Sequence, residues 1–205
     1  MTEVPHYSYE DLRKKADDFL RTYNPSGAIP VPIEEIVEFE FNINIIPVLA
    51  LQREYEVEGF TSSDLKNIYV DEYVYTDYIN RYRFTLAHEI GHIILHRNLY
   101  GENRFSSITE WKEFINSITE EEYGWLEYQG YAFAGLVLVP RESLIKHTNE
   151  WVKRIKGKKI SLEQNWDFAW ELIIAHLGKA FHVSSSVIEK RLDKDGIRAE
   201  NISEE

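Results

Sequence analysis

The sequence predicts an α+β fold in which a small antiparallel sheet packs against helices. Apolar residues recur at helical spacing through most of the chain. Between residues 42 and 71, three short segments instead have the composition of strands. The chain has 205 residues, and its hydrophobic content of 43% supports a packed core. We expect a main domain over residues 1–150 and a helical module over residues 151–205.

The predicted elements follow one another closely. Residues 7–23 have an apolar helical face and end at a turn rich in Asn, Pro and Gly. Pro32 opens a second helix, because its fixed φ suits a first turn, and this helix runs to about Phe39. The strands are predicted at residues 42–51, 58–64 and 66–71. Helices are predicted over residues 76–99, 124–138, 141–153 and 161–192, with a break near His182. A loop with one short helix is expected over residues 101–122.

Composition disfavours several kinds of function. A formal net charge of −12 repels the phosphates of nucleic acids, so binding of DNA or RNA by the molecule as a whole is disfavoured. The chain has no cysteine, which excludes disulfides, thiolate zinc ligands and a cysteine nucleophile. The N-terminus lacks the pattern of a signal peptide, and the apolar runs are too short to span a bilayer. We expect a cytoplasmic protein with no membrane partner.

One motif indicates metal chemistry, His88-Glu-Ile-Gly-His92, within the predicted helix 76–99. Residues four apart lie on one face of a helix, so the two imidazoles can bind one cation. Glu89 is offset by about 100° around the axis and borders the ion without being a ligand. Zinc lowers the pKa of a bound water to roughly 7, and Glu89 would take its proton for attack on a peptide carbonyl. The alternative is a surface helix with incidental His and Glu, and the apolar flanking residues count against it.

A catalytic zinc usually has a third protein ligand. We predict Glu127, because its helix is apolar enough to pack against the first one. His96 lies about 12 Å beyond His88 along the axis, too far to share the ion, so we expect it in the core or beside a ligand. The other candidates for the third ligand are Glu120, Glu121 and Glu122. Three consecutive acidic residues are typical of a solvent-exposed helix face, so we favour Glu127 over them.

These residues give the sequence a family resemblance. The segment Arg83-Phe-Thr-Leu-Ala-His-Glu-Ile-Gly-His-Ile-Ile-Leu-His96 resembles the ImmA/IrrE family of metallopeptidases. The similarity extends over roughly residues 10–140. Other matching positions are residues 30–37 and 67–71, Glu127, Phe133-Ala134 and Pro140. The family usually has a small residue and then Asn or Asp where this chain has Gly130 and Tyr131.

The resemblance has implications for the site and the substrate. It implies zinc ligands at His88, His92 and Glu127, with Glu89 as general base. It also implies a protein substrate, typically a helix-turn-helix repressor that is cleaved in response to a signal. A peptide substrate of a zincin adds as a strand to a sheet edge beside the metal helix, here residues 58–64 or 67–71. Candidate donors to the developing oxyanion, which spacing does not rank, are Tyr131, His147 and His176.

The C-terminal residues 177–192 have the pattern of a helix-turn-helix, with Ser184 capping the second helix. In a functional interpretation, Lys190, Arg191 and Lys194 contact DNA. The basic excess is weak on so acidic a molecule, however. Packing or partner docking is therefore the favoured interpretation of this segment.

The prediction is thus a zincin-like, zinc-dependent (Zn2+) metallopeptidase with a C-terminal helix-turn-helix-like module. It hydrolyses a peptide bond in a protein substrate, a transcriptional repressor. Two alternatives stay open. A metal-binding sensor or interaction module would cleave slowly or not at all, and its phenotype would survive Glu89→Gln. A DNA-binding regulator would show salt-dependent DNA affinity carried by residues 184–194.

Overall fold

A computed structural model of the chain describes residues 4–102, 105, 107–156 and 166–198. Within this part, helices surround a three-stranded sheet, which confirms the α+β class. No helix in the described part is both long and apolar enough to cross a membrane.

The N-terminal helix α1, Tyr9–Tyr23, begins at a capping box. The Ser8 hydroxyl accepts a hydrogen bond from the Asp11 amide, and the Asp11 carboxylate accepts one from the Ser8 amide. The helix buries one apolar face, formed by Leu12, Ala16 and Phe19. The next helix, α2 (Ile33–Glu35), continues into a π-helical turn over Ile36–Glu40.

The sheet is mixed, so the prediction of a purely antiparallel sheet was wrong. Its strands are β1 (Asn44–Val48), β2 (Gly59–Thr61) and β3 (Asn67–Asp71), in the spatial order β1-β3-β2. β2 and β3 form the predicted antiparallel hairpin, but β1 pairs with β3 in parallel. The cause is a short helix that was not predicted, α3 (Leu51–Tyr55). It reverses the chain after β1, so that β2 runs back along the far edge and β3 returns between the two.

The predicted helix 76–99 is divided at two residues. The segments are α4 (Glu72–Asp77), α5 (Ile79–Leu95) and α6 (Arg97–Glu102). Tyr78 has φ −128° and ψ 67°, and His96 has φ −123° and ψ 20°, so neither has helical torsion angles. Asp71, the last residue of β3, caps α4 by accepting hydrogen bonds from two backbone amides. The sheet therefore leads almost directly into the helix that carries the motif.

The second half of the described chain is helical. Its helices are α7 (Ile108–Ser117), α8 (Glu120–Leu138), α9 (Arg141–Lys156), α10 (Trp166–Phe181) and α11 (Ser185–Lys194). α8 begins four residues before the predicted start because Thr119 and Glu122 form a capping box. Ser184 occupies the expected N-cap position of α11, but its hydroxyl accepts no hydrogen bond from the backbone of that helix. The predicted start of the last helix at residue 161 lies outside the described residues.

The main hydrophobic core joins helices from both halves of the chain. Buried residues of α1, α5, α8, α10 and α11 belong to one cluster, for example Leu12, Leu86, Phe133, Leu177 and Leu192. A second cluster lies under α6 and α7 and includes Leu99, Trp111 and Leu126. The division into residues 1–150 and 151–205 stays a prediction.

Candidate metal centre

Helices α5 and α8 pack very closely because glycines lie at their contact. A Cβ atom on Gly130 would lie 2.8 Å from His88 Cε1 and 3.0 Å from His92 Cε1. One on Gly91 would lie 3.2 Å from Phe133 Cδ1. Real Cβ atoms almost never approach a neighbour as closely as 2.8 Å, so the position of Gly130 needs a residue without a side chain. The contact at Gly91 is tight as well, and a side chain there would displace Phe133 by a few tenths of an ångström. Gly130 is therefore the point at which α8 contacts the two imidazoles. It is also one of the two positions at which this sequence differs from the ImmA/IrrE pattern.

Three side chains converge where the helices meet. His88 and His92 come from adjacent turns of α5, and Glu127 comes from α8. The two Nε2 atoms are 2.9 Å apart, Glu127 Oε2 lies 3.5 Å from His88 Nε2, and Glu127 Oε1 lies 3.6 Å from His92 Nε2. Ligands that are about 2.0 to 2.1 Å from a tetrahedral zinc ion lie roughly 3.3 to 3.4 Å from one another. The residues present therefore fit a divalent cation with two nitrogen ligands and one oxygen ligand.

The electrostatics of the three side chains suit a cation. Burial, and then the neighbouring His92, lower the pKa of His88 to about 3, so its imidazole is neutral. Burial also lowers the pKa of His92, but the hydrogen bond and charge of Glu127 outweigh this and raise it. Burial raises the pKa of Glu127, and the two imidazoles outweigh that effect and lower it. For His88, a neutral imidazole beside the ionised carboxylate of Glu127 is the protonation state that a metal ion requires, whereas His92 would release a proton when an ion binds.

Glu89 lies beside this group and faces the sheet. Its side chain is buried, and Oε2 accepts a hydrogen bond of 2.7 Å from the Thr61 hydroxyl at the end of β2. Burial raises the pKa of Glu89. A Cβ atom on Gly59 would lie 2.7 Å from Thr85 Cγ2 on α5, so β2 also lies very close to the helix. Thr61 was missed in the sequence because the contact joins residues 28 positions apart.

His96 lies next to His92, as the sequence suggested. It is buried, and its Nδ1 is 3.0 Å from Nδ1 of His92. Burial, followed by the two neighbouring imidazoles, lowers the pKa of His96 to about 2. With a metal ion on Nε2 of His92, Nδ1 of the same ring would carry the proton and donate it to Nδ1 of His96. Such a bond fixes both the tautomer and the ring orientation of a ligand.

The remaining sequence candidates divide into two groups. Tyr131 lines the cleft, with its ring 4.5 Å from the His88 ring and stacked on Phe84 at 6.0 Å. The other two candidate donors lie elsewhere, since His147 packs on Phe181 and His176 packs on Trp151. The rival carboxylates, Glu120, Glu121 and Glu122, form the first turn of α8 and do not join the three-residue group.

The three side chains open into a cleft of about 710 Å³ that follows α5. α8 runs antiparallel to α5. Glu127, the earlier residue on α8, contacts His92 late in α5, whereas Tyr131, one turn later on α8, contacts Phe84 near the start of α5. The end of the cleft near the start of α5 is charged, and Glu58 and Arg81 form an ion pair there. The other end is apolar and is lined by α6 and α7 and the start of α8, with Leu99, Trp111, Phe114 and Tyr123.

The C-terminal helix α11 contributes to this cleft. It does not expose all three of the residues considered for DNA contact, Lys190, Arg191 and Lys194. Arg191 is buried: it donates hydrogen bonds to the Val139 carbonyl at the end of α8 and pairs with Asp195 at 2.9 Å. Arg191 is therefore inaccessible to a DNA backbone. Lys190, the preceding residue, lines the cleft instead.

Two buried histidines and a half-buried glutamate on two packed helices, with a second glutamate beside them, define a candidate metal centre of an α+β protein. The family model described as Peptidase_M78, IrrE N-terminal-like domain, matches residues 66–193, which is more than half of the chain. The chain belongs to this family, and the resemblance seen in the sequence is confirmed. The match begins later and extends further than the expected residues 10–140, and it includes α10 and nearly all of α11.

Other comparisons add little about function. A solved structure described as a Mycobacterium tuberculosis transcriptional regulator is similar, with a TM-score of 0.49 and 16% sequence identity. The similarity covers 89% of this chain but 46% of that one, so the chain spans about half of its length. A likeness at this level supports no conclusion about function. Curated proteins gave no significant match.

Proposed function

We propose that the protein is a zinc-dependent metallopeptidase that hydrolyses a peptide bond in a protein substrate. The observation that carries the proposal is the convergence of His88, His92 and Glu127, whose ligand atoms all lie within 4.8 Å of one another. Membership of a peptidase family supports the same reaction class. His88, His92 and Glu127 would hold the ion, and Glu89 would be the general base.

A bound zinc ion supplies a Lewis acid that polarises a carbonyl and makes water more acidic. The protein's own residues do the remaining work. Glu89 accepts the proton of the attacking water at a carboxylate oxygen and later returns it to the leaving amine. The Thr61 hydroxyl holds Oε2 of Glu89, which leaves Oε1 for this transfer. Burial keeps bulk water away from the carboxylate and strengthens these interactions.

The substrate would bind as an extended strand along β2. Of the two predicted segments, 67–71 forms the central strand β3, whereas 58–64 contains the edge strand. The Ser62 amide donates to the Asn67 carbonyl, and the Asp71 amide donates to the Glu58 carbonyl. Because bonding alternates along an antiparallel pair, the polar backbone groups of Gly59 point away from β3. Gly59 also lines the cleft, so its backbone is placed to pair with a peptide.

Tyr131 is the donor that we propose for the developing oxyanion. Of the three donors suggested by the sequence, Tyr131, His147 and His176, it is Tyr131 that lines the cleft, beside the His88 ring. Burial, followed by the Glu127 charge, raises the pKa of Tyr131, so its hydroxyl keeps its proton at neutral pH. A protonated hydroxyl beside the reacting carbonyl stabilises negative charge as it develops.

The proposed substrate class is a transcriptional repressor, which the family resemblance implies. The test is incubation of the zinc-loaded protein with a peptide library, with products identified by mass spectrometry. We expect the wild type to cleave peptides and Glu89→Gln to cleave at least about a hundredfold more slowly, with the same zinc content. Equal cleavage by both would remove Glu89 from the mechanism. No cleavage by the zinc-loaded wild type would favour a metal-binding sensor or interaction module.

A further inference from the structure

Helix α11 forms one wall of the cleft. Ser184, Ser186, Val187 and Lys190 line the cleft, and the last three lie at helical spacing on one face of α11. The opposite face is buried and contains Ile188, Arg191 and Leu192. The orientation of α11 is therefore fixed by its buried face.

A buried polar network holds this orientation. Arg191 binds the Val139 carbonyl at the end of α8 and the Tyr9 hydroxyl of α1. Its ion-pair partner Asp195 also pairs with Arg13 of α1 at 3.1 Å. The network joins three helices. Since adjacent residues of a helix point about 100° apart, anchoring Arg191 inward leaves Lys190 directed to the cleft.

The position of Lys190 along the cleft follows from the same contacts. A Cβ atom on Gly135 would lie 3.5 Å from Arg191 Cδ, so α11 crosses the C-terminal half of α8. That half lies beside the start of α5, because the two helices are antiparallel. Lys190 is therefore at the charged end of the cleft, the end that contains Arg81, and Trp111 is at the other end.

The charge of Lys190 is available to a ligand. Within the described residues, the cleft contains two cationic side chains besides its histidines, Arg81 and Lys190. Arg81 is ion-paired with Glu58, whereas Lys190 has no ion pair to any described residue and is exposed. An unpaired ammonium group beside a peptide cleft is complementary to a carboxylate.

We propose that Lys190 binds an acidic side chain of the peptide substrate and so determines specificity at the charged end of the cleft. This inference rests on the proposed function, because it takes the cleft to be a peptide site. A substrate lying along α5 would then have an Asp or Glu at this end and a large apolar side chain near Trp111 and Phe114 at the other.

A peptide suits this cleft better than a nucleic acid. Among the residues that the structure describes, five carboxylates line it and would repel a chain of phosphates, those of Glu56, Glu58, Asp77, Glu89 and Glu127. One ammonium group matches one carboxylate, whereas a nucleic acid usually needs several accessible cations. Arg191 is buried and cannot supply one.

Binding of peptide pools to the zinc-loaded full chain tests the proposal. The probes are fluorescein-labelled decapeptide pools in which one position is fixed as Glu, Ala or Lys. Binding is measured by anisotropy in a Glu89→Gln background, so that no peptide is consumed. At one position we expect the Glu pool to bind about threefold or more tightly than the Lys pool, and Lys190→Glu to reverse this preference. Lys190→Ala should abolish the preference without reversing it.

Lys194→Glu is the matched control. Lys194 is one turn further along α11, with Nζ 5.8 Å from the Tyr9 ring centre, and it does not line the cleft. This variant makes the same charge change but should keep the wild-type preference. Circular dichroism and zinc content should be the same in all variants. No preference for Glu in the parent protein, a preference unchanged by Lys190→Glu, or no peptide binding at all would each overturn the inference.

The same pools separate this inference from the proposed function. Cleavage is measured in parallel with protein that retains Glu89. Pools that bind with a preference dependent on Lys190 but are not cleaved would contradict the peptidase and leave the Lys190 site standing. Pools that are cleaved with no such preference would contradict the Lys190 site alone.

Discussion

The Thr61 hydroxyl donates a hydrogen bond of 2.7 Å to Oε2 of Glu89, and both residues are buried. The bond joins the edge strand β2 to the helix that carries the two histidines. This contact therefore links the strand that we propose for substrate pairing directly to the proposed base. A substrate on β2 would lie at a fixed distance from Glu89.

Thr61→Val should lower kcat by about tenfold, because a hydrogen bond to a charged group contributes roughly 1.5 to 3 kcal/mol and its loss frees the carboxylate to rotate. Valine has nearly the same shape, so the fold and the zinc content should not change. Thr61→Ser keeps the hydroxyl and should retain most of the activity. Steady-state kinetics of the three proteins are compared. An equal loss in Thr61→Ser would show that the methyl group matters and the hydrogen bond does not.

Gly130→Ala should weaken metal binding by at least about tenfold or destabilise the fold by roughly 1 to 3 kcal/mol, because its Cβ would collide with the two imidazoles. The control is Gly124→Ala on the same helix, where nothing lies within 4 Å of the added atom. That change should stabilise α8 by about 0.5 to 1 kcal/mol. Zinc titration and urea denaturation measure both effects. Normal zinc affinity and stability in Gly130→Ala would contradict the close approach of α8 to the histidines.

His96→Leu should reduce zinc affinity by about 10- to 100-fold, as losses of hydrogen-bonding partners to metal ligands do. The reason is that the His92 ring loses the acceptor that fixes its tautomer. Competition with a chelator of known affinity measures the change. Stability without metal should fall little, because leucine fills the buried site. Unchanged zinc affinity would show that His96 is only a packing residue.

Arg191→Met should lower the free energy of unfolding by about 3 to 5 kcal/mol, because it leaves the buried Asp195 with one partner fewer. Urea denaturation of the two proteins gives this difference. The double variant Arg191→Met, Asp195→Leu should recover most of the loss, since no buried charge is then left unpaired. A loss below about 1 kcal/mol for the single variant would show that α11 is held mainly by its apolar face.

Removing the metal should lower the melting temperature. A ligand present at 100 times its Kd stabilises the folded state by about 2.7 kcal/mol, which in a chain of this length corresponds to roughly 5 to 10 °C. The shift should disappear in Glu127→Ala, whose melting temperature should not respond to zinc or chelator. Calorimetry with and without chelator measures it. An equal shift in Glu127→Ala would place the stabilising ion elsewhere.

Much of the candidate site could be predicted because its information is local. The spacing of His88 and His92 depends only on helical geometry, and Glu127 was identified from the apolar character of its helix. The structure brings these residues together on α5 and α8. Their roles as metal ligands and base stay predictions until measured.

The parts that could not be predicted depend on distant contacts. Thr61 and Glu89 meet through the packing of β2 on α5, and composition does not reveal the register of that packing. The parallel pairing of β1 with β3 depends on helix α3, whose five residues are too few for a clear periodic pattern. The inward orientation of Arg191 depends on partners in α1 and α8, so its sequence context indicated only a basic residue on a helix.

Metal content of the purified full chain is the most direct test of the central claim. The wild type and His92→Ala are supplied with zinc, dialysed, and measured by inductively coupled plasma mass spectrometry. We predict about one zinc ion per wild-type chain and almost none in His92→Ala, because two remaining ligands hold the ion too weakly. Equal zinc in both proteins, or no zinc in the wild type, would contradict a metal centre at His88, His92 and Glu127.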